Sequence, residues 1–310
     1  MKVLYWPNGY TCDKVPSVGT IGVFDGLHRG HRHLIEGMLD NAKRAKLLST
    51  VVTFDPHPQM VVGGLPNPVK LLIGIEERLS ILASLGVERT IVCQFTRDLS
   101  MLSAEEFLKE LIRSYGIERY YLGPNHAFGY KRSGNRDTLP TIAKSLGINI
   151  DWAEPVQIDG TVISSSAIRK LLLTGDIETA NHWLGRPFTL SGYVVAGERR
   201  GRELGVPTAN LQVEPSERLI PADGVYIARV NGVGLNGHPS LLSIGTRPTF
   251  GNLPRAIEAH LFDYNATIYG QRIEISFLQF LRGQVTYPNA EELIAQMKDD
   301  EEKARKYFAK

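Results

Sequence analysis

The segment Gly22-Val23-Phe24-Asp25-Gly26-Leu27-His28-Arg29-Gly30-His31 sets two imidazoles three residues apart where a strand gives way to a helix. At that spacing both rings lie on one side of the first turn and can donate hydrogen bonds to phosphate oxygens. Gly26 and Gly30 let backbone come close, and the helix N-terminus itself favours an anion. The set suits nucleotidyl transfer, in which an acceptor oxygen attacks the α-phosphorus of ATP and pyrophosphate leaves. That chemistry needs no protein nucleophile, only positioned groups that offset charge growing on the phosphates. Histidines on an amphipathic surface helix are the plain alternative, against which the preceding strand, the glycines and Asp25 weigh. A metal pair has weaker support, because no further ligand residue follows at suitable spacing and the HExxH pattern is absent.

A second constellation is Gly197-Glu198-Arg199-Arg200-Gly201-Arg202-Glu203-Leu204-Gly205-Val206-Pro207-Thr208-Ala209-Asn210. Three glycines at four-residue spacing read either as a hairpin turn or as a loop whose amides approach phosphates; the three arginines tilt it toward an anion. In an extended segment positions i and i+2 face the same way, so Thr208 and Asn210 converge as hard oxygen ligands suited to Mg²⁺ held jointly with phosphates. Further on, AIEAHLF puts Glu258 and His260 on one face of a strand, where a lone carboxylate reads from residues alone as an ordinary solvated group.

These residues need elements to hold them. From Val18 onward short β-rich runs alternate with helical patterns: VGTIGV, a helix carrying Leu34, Ile35, Met38 and Ala42, STVVTF, IEERLSILASLG, RTIVCQF, then SAEEFLKELIRSYG with Ser103 and Glu106 spaced as a capping box. Repeated βα units predict a parallel sheet with helices on both faces. After SSAIRKLLLTG and DIETANHWLG, Arg186-Pro187 opens a series of strand-like runs separated by Gly, Pro and Asn, and Asn289 and Glu292 start a charged closing helix. The expected architecture is α/β plus β: a parallel-sheet module over 1–184, then a small antiparallel barrel or sandwich with a closing helix over 185–310.

Composition bounds the rest. The 310 residues fit two domains, and 43% hydrophobic with 22% charged residues excludes wholesale disorder. A formal net charge of +2 is too balanced for a protein that coats nucleic acid or an anionic membrane. Cys12 and Cys93 cannot build a disulfide framework, so a reducing cytoplasm is the expected location. No secretory signal and no apolar run of about 18 residues is found, so neither export nor membrane spanning is expected.

Taken in order, GVFDGLHRGH, TFDPHP, LGPNHAFGYKRSGN, ISSSAIR and GxxxGRxLGxPTAN resemble the bacterial bifunctional riboflavin kinase/FAD synthetase family, over essentially the whole chain. The resemblance implies a Rossmann-like nucleotidyltransferase module followed by a riboflavin kinase barrel. It implies that His28 and His31 bind the ATP phosphates within a loop that includes Gly22, Phe24, Asp25 and Gly30. It also implies that Asn125 lies near the adenine nucleotide and FMN phosphate, and that Ser164, Ser165, Ser166 and Arg169 form a further phosphate-handling element. In the kinase module it implies a loop of Gly197, Gly201, Arg202 and Gly205, a Mg²⁺ ion on Thr208 and Asn210, and Glu258 as the base for the riboflavin 5′-hydroxyl. Pro221 to Tyr226 and Ile244 to Phe250 match as well. Where the family has an aromatic after the Asn or Asp, this chain has His126. From residues alone the Ser cluster also reads as an N-cap of an apolar helix, and His57, between two prolines, reads as a rigid loop residue without a catalytic role.

The activity implied is ATP-dependent phosphorylation of riboflavin to FMN followed by adenylylation of FMN to FAD, with ATP and flavins as partners and flavoproteins as recipients of the product. Two alternatives stay open at this point. One is a kinase whose adenylyltransferase module is weakened or altered; the other is a flavin carrier, which has no need of a base such as Glu258. Oligomeric state leaves no mark in the sequence.

Overall fold

The computed structural model describes residues 1–7, 13–63, 68–158, 160–196, 208–232, 234–246 and 255–309. The chain divides into two compact units, Met1–Ser165 and Ser166–Lys310.

The first unit is built on a six-stranded sheet of β1 (Lys2–Trp6), β2 (Ser17–Ile21), β3 (Leu48–Asp55), β4 (Arg89–Gln94), β5 (Ile117–Leu122) and β6 (Asn149–Trp152), ordered β1-β4-β3-β2-β5-β6. Every pairing is parallel. All five residues of β2 are buried, as expected for a strand covered on both faces. Helices α1 (Arg29–Ala45), α2 (Pro58–Val62), α3 (Ile75–Ser84), α4 (Arg97–Met101), α5 (Ala104–Tyr115) and α6 (Leu139–Leu146) connect the strands, together with a 3₁₀ turn at Tyr130–Arg132. Ile35, Met38 and Ala42 of α1 pack with Leu82 of α3 in one apolar layer. Phe107, Leu108 and Leu111 of α5 join Leu139 and Ala143 of α6 in the other. The layering predicted from the βα alternation is therefore present.

Local signals explain the helix ends. The capping box of α5 forms as predicted, with Glu106 N–H donating to Ser103 Oγ while the Glu106 carboxylate accepts from Ser103 N–H. α1 ends on Lys46 in the left-handed conformation (φ 57°), its N–H donating to the carbonyls of Ala42 and Lys43. Elements not read from sequence include the edge strand β1, the short helices α2 and α4, and a small hairpin of β7 (Gln157–Ile158) and β8 (Thr161–Val162). β3 and β5 flank β2, and the chain returns to opposite sides of it. The carboxyl end of β2, where the Gly22–His28 loop emerges, is thus the topological switch point at which open α/β sheets bind ligands.

The second unit opens with α7 (Ser165–Leu173, whose first residue belongs to the first unit) and α8 (Ile177–Leu184), then forms a closed antiparallel barrel. Its strands β9 (Phe188–Val195), β10 (Ala209–Val213), β11 (Gly224–Gly232), β12 (Leu235–Gly245), β13 (Ala256–Leu261) and β14 (Arg272–Arg282) run round it as β10-β13-β12-β11-β14-β9. Of the barrel and sandwich left open by the strand pattern, the barrel is the one formed, and closure removes the exposed strand edges. The Phe277 ring packs against both Phe188 and Tyr226 in the buried interior. Asn181 hooks α8 to the barrel, donating to Phe277 O at 2.8 Å and accepting from Phe188 N–H at 2.7 Å. The closing helix α9 (Ala290–Phe308) is capped by Asn289, whose Oδ1 accepts from Glu292 N–H at 2.8 Å. Ala304 and Phe308 of α9 cover Val225, Ile227 and Leu241 of the barrel.

Candidate functional site

In the first unit the Gly22–His31 segment forms one built loop. Gly22 N–H donates to Val52 O at 3.0 Å, closing the end of β2 against β3. A Cβ at Gly22 would stand 2.8 Å from Phe24 Cζ, so only glycine lets that ring fold back over the strand end. Phe24 itself holds φ 53° and Gly26 φ 87°, and a buried aromatic in the left-handed region is strain that the surroundings must enforce. Part of that enforcement comes from Asp25, only 2% exposed, whose carboxylate accepts from Leu72 N–H (2.9 Å) and Ile73 N–H (3.2 Å). The loop is therefore tied to the residues just ahead of α3.

His28 is the N-cap of α1 and its Nδ1 accepts from His31 N–H at 3.2 Å. That bond puts the proton of a neutral ring on Nε2. The two imidazoles are stacked, with centroids 3.6 Å apart and planes within 16°, and Phe24 meets His31 edge-on at 5.4 Å. His31 Nδ1 is buried and has no hydrogen-bond partner among the described residues. Burial, then the neighbouring His28 and Arg78, hold the His31 pKa well below the usual imidazole value. The predicted pair is thus assembled, and burial disfavours the charged form of the His31 ring. Gly30 lies in the first turn, against the His28 ring.

Of the other predicted residues of this unit, Asn125 is exposed in the turn after β5, and His126 beside it is half-buried against Phe128 at 5.3 Å. Burial, with Arg132 nearby, brings the His126 pKa down to about 4. Ser164 precedes α7 and Ser165 begins it; the Ser165 hydroxyl donates to the Asp25 carbonyl at 2.7 Å across 140 residues of sequence. Ser165 is therefore folded back onto the Gly22–His31 loop, an arrangement that capping alone does not supply. Ser166 and Arg169 count with the second unit. His57 caps α2, its Nδ1 accepting from Gln59 N–H at 3.1 Å, which agrees with a structural reading.

In the second unit the barrel register sets Asn210 of β10 directly opposite Glu258 of β13. Thr208 Oγ1 lies 3.4 Å from Glu258 Oε1, a long contact that brings hydroxyl, amide and carboxylate to one patch. Ala209, Ile257 and Ala259, the intervening residues, are buried, so the alternation predicted for both segments holds. His260 shares the face of Glu258 but stands 3.9 Å from Glu301 Oε2 on α9. Gly197, Gly201, Arg202 and Gly205, with Arg199 and Arg200, lie outside the described residues, as do Arg247 to Phe250.

The FAD synthetase family model matches residues 12–167 and the riboflavin kinase family model residues 184–308. A bifunctional riboflavin kinase/FMN adenylyltransferase of Listeria monocytogenes is 34% identical over 316 aligned residues, covering 100% of this chain and 99% of the relative. The chain belongs to the bifunctional riboflavin kinase/FMN adenylyltransferase family. Members from Bacillus subtilis and Escherichia coli are each 33% identical, the first covering 96% of this chain and 94% of its own length, the second 93% and 92%. A solved structure described as a macrolide-efflux protein from Streptococcus pneumoniae superposes with a TM-score of 0.87 at 28% identity, covering 98% of this chain and 99% of that one. Among the described residues no helix is long and apolar enough to cross a membrane. Within the family framework, the first match holds the paired histidines, Asn125, Ser164 and Ser165, the second holds Thr208, Asn210 and Glu258, and Arg169 falls between them.

One residue beneath the first site was not singled out by sequence reasoning. Arg78 of α3 is only 1% exposed, and its Nη1 donates to Thr53 Oγ1 (3.1 Å) and Phe54 O (2.8 Å) at the carboxyl end of β3. Its signal in the sequence is an arginine on a helix whose neighbours Glu76 and Glu77 suggest an ordinary solvated face.

Proposed function

We propose that this chain makes FMN and then FAD: the barrel unit phosphorylates riboflavin with ATP, and the parallel-sheet unit adenylylates the FMN so formed, releasing pyrophosphate. The observation that carries the reading is the end-to-end match of a single chain to relatives bearing both activities. We keep the boundary between the activities at 184, with domains 1–184 and 185–310, where the riboflavin kinase match begins.

In the kinase step Glu258 takes the proton of the riboflavin primary hydroxyl as its oxygen attacks the γ-phosphorus of ATP; the bond to ADP breaks and ADP departs with the electron pair. Thr208 and Asn210 present a hydroxyl and an amide oxygen beside that carboxylate, a donor set of hard oxygens that fits Mg²⁺. When bound, that ion supplies positive charge to the ATP phosphates. Gly197, Gly201, Arg202 and Gly205 are assigned to the nucleotide by resemblance.

In the adenylyl step an FMN phosphate oxygen attacks the α-phosphorus and the α–β bridging bond breaks toward pyrophosphate. His28 donates through Nε2–H and His31 through its ring N–H, at the N-terminus of α1, which already favours an anion. Ser165 holds the loop at the Asp25 carbonyl, while Asn125 and Ser164 contact nucleotide and flavin phosphate; Arg169 is assigned to phosphate by resemblance. We assign both reactions to the cytoplasm, with ATP and flavins as partners, flavoproteins as recipients, and neither nucleic acid nor membrane as partner. The test is a chromatographic time course with riboflavin, ATP and Mg²⁺, and a parallel reaction started from FMN. FMN that rises and then gives way to FAD is expected; FMN that accumulates in both reactions without FAD would confine the function to the barrel unit.

A further inference from the structure

Arg78 has no part in the chemistry just described, yet a guanidinium at 1% exposure needs a reason, because burial of a cation costs several kcal/mol unless partners repay it. Besides Phe54 O on β3, its partner Thr53 leads to the Gly22–His31 loop. Nη1 donates to Thr53 Oγ1, and Thr53 Oγ1 in turn donates to Val23 O at 3.1 Å, fixing the residue before Phe24. On the other side of Phe24, the Asp25 carboxylate accepts from Leu72 N–H and Ile73 N–H, immediately ahead of the helix that carries Arg78. Phe24, at φ 53°, is therefore held from both sides, and its ring is the edge-on neighbour of His31. Arg78 Nε has no hydrogen-bond partner among the described residues, so the fork is only partly used by the protein.

We propose that Arg78 is a positioning residue for adenylyl transfer, clamping the β2–α1 loop from beneath so that Phe24 and His31 are held in the arrangement that receives the nucleotide phosphates. The proposal rests on the adenylyltransferase reading of the first unit. A second link is electrostatic. The ionisable groups acting on His31 are His28 at the cap of α1 and Arg78 from α3; Arg78 in turn faces Asp25 of the loop and Asp55 at the end of β3. After the larger effect of burial and that of His28, a cation set behind His31 adds to the bias against a charged ring, and a neutral ring held in place is a directed donor.

The experiment compares Arg78→Met, Arg78→Lys and Thr53→Val in the full chain. It reads kcat/KM for FMN adenylylation from pH 5.5 to 8.5, riboflavin phosphorylation as an internal control, and the His31 imidazole titration by NMR, assigned with His31→Gln. Arg78→Met should lower adenylylation about 100-fold, the scale of a misplacement near 1 Å, with riboflavin phosphorylation unchanged. The acid limb of its pH profile and the His31 titration should both move upward toward the ordinary imidazole value, while burial keeps them below it. Arg78→Lys should restore the profile and part of the rate. Thr53→Val, which removes only the relay to Val23, should slow adenylylation and leave the profile in place.

A methionine variant within about twofold of wild type, or a slower one with profile and His31 titration unmoved, would overturn the proposal. If Arg78→Met failed to fold, Thr53→Val would decide, and an undiminished rate there would overturn it. A wild-type chain that made no FAD from FMN would instead refute the activity reading, with the His31 titration still reporting whether Arg78 acts on the ring.

Discussion

Asn210 and Glu258 are register partners across β10 and β13, 48 positions apart in sequence and face to face in the barrel. Thr208 joins them at 3.4 Å from the Glu258 carboxylate. A carboxylate set between two oxygen donors can accept a proton from an alcohol that shares the patch with ATP phosphates. Glu258→Gln keeps the size and the contacts and removes the base, so riboflavin phosphorylation should fall by about 10²- to 10⁴-fold. Adenylylation of supplied FMN should continue. Measured kinase turnover within about twofold of wild type would remove Glu258 from the base role.

The stacked histidines make the complementary prediction. His28→Ala with His31→Ala should abolish FAD formation while FMN accumulates from riboflavin. Because His28 also caps α1, the alanine costs about 1 kcal/mol of helix stability, and that must be separated from lost chemistry. His28→Asp preserves a cap acceptor, suits the helix dipole and replaces a donor with a repelling charge. It should fold with a melting temperature near wild type and still make no FAD. FAD synthesis by the aspartate variant would show that cap geometry alone matters at this position.

How much of this was legible differs by scale. The capping box of α5, the layering of α1 and the barrel strands follow from residues adjacent in sequence, and these were readable. β1 was not, because five residues before Pro7 carry too little pattern to mark an edge strand. The pairing of Asn210 with Glu258 depends on barrel register, and resemblance, not spacing, pointed to Glu258. Arg78 was hidden for a related reason. Its partners Thr53 and Phe54 lie 25 and 24 positions away on a neighbouring strand, and nothing in IEERLSIL announces that the arginine turns inward. Stacking of His28 on His31 was equally unreadable, since the spacing predicts shared direction but not that one ring's Nδ1 is committed to the other residue's backbone.

His126 yields a prediction about stability. Its pKa falls from 6.5 to about 4 through burial, with help from Arg132, and its buried Nε2 lacks a hydrogen-bond partner among the described residues. Between pH 6.5 and 4 the unfolded chain therefore binds a proton that the folded chain does not. Stability rises with pH across that window and is lost as pH falls through it. The lowered value corresponds to on the order of 3 kcal/mol at full protonation of the unfolded state. His126→Phe, which also keeps a ring against Phe128, should flatten the dependence. Urea unfolding at pH 7.0 and pH 5.0 checks this: the wild-type difference should shrink in the variant, and an equal difference in both would mean that His126 titrates normally.

Gly22 gives the last prediction, which turns on room and not on charge. A methyl there would lie 2.8 Å from Phe24 Cζ and 3.0 Å from each Cε, too close for the ring to stay. Overpacking of this kind costs about 1–3 kcal/mol, and the ring it displaces is the one that meets His31 edge-on. Gly22→Ala should therefore lower FAD synthesis from FMN while leaving riboflavin phosphorylation unchanged. Phe24→Leu removes the ring that clashes, so Gly22→Ala should cost less stability in that background than in the wild type, giving a favourable coupling of about 0.5–3 kcal/mol in a double-mutant cycle. The rate should not recover with the stability, because the leucine has no ring to set against His31. Additive stability costs would mean that the methyl is accommodated by backbone movement elsewhere, and recovery of FAD synthesis in the double variant would show that Phe24 does not position His31.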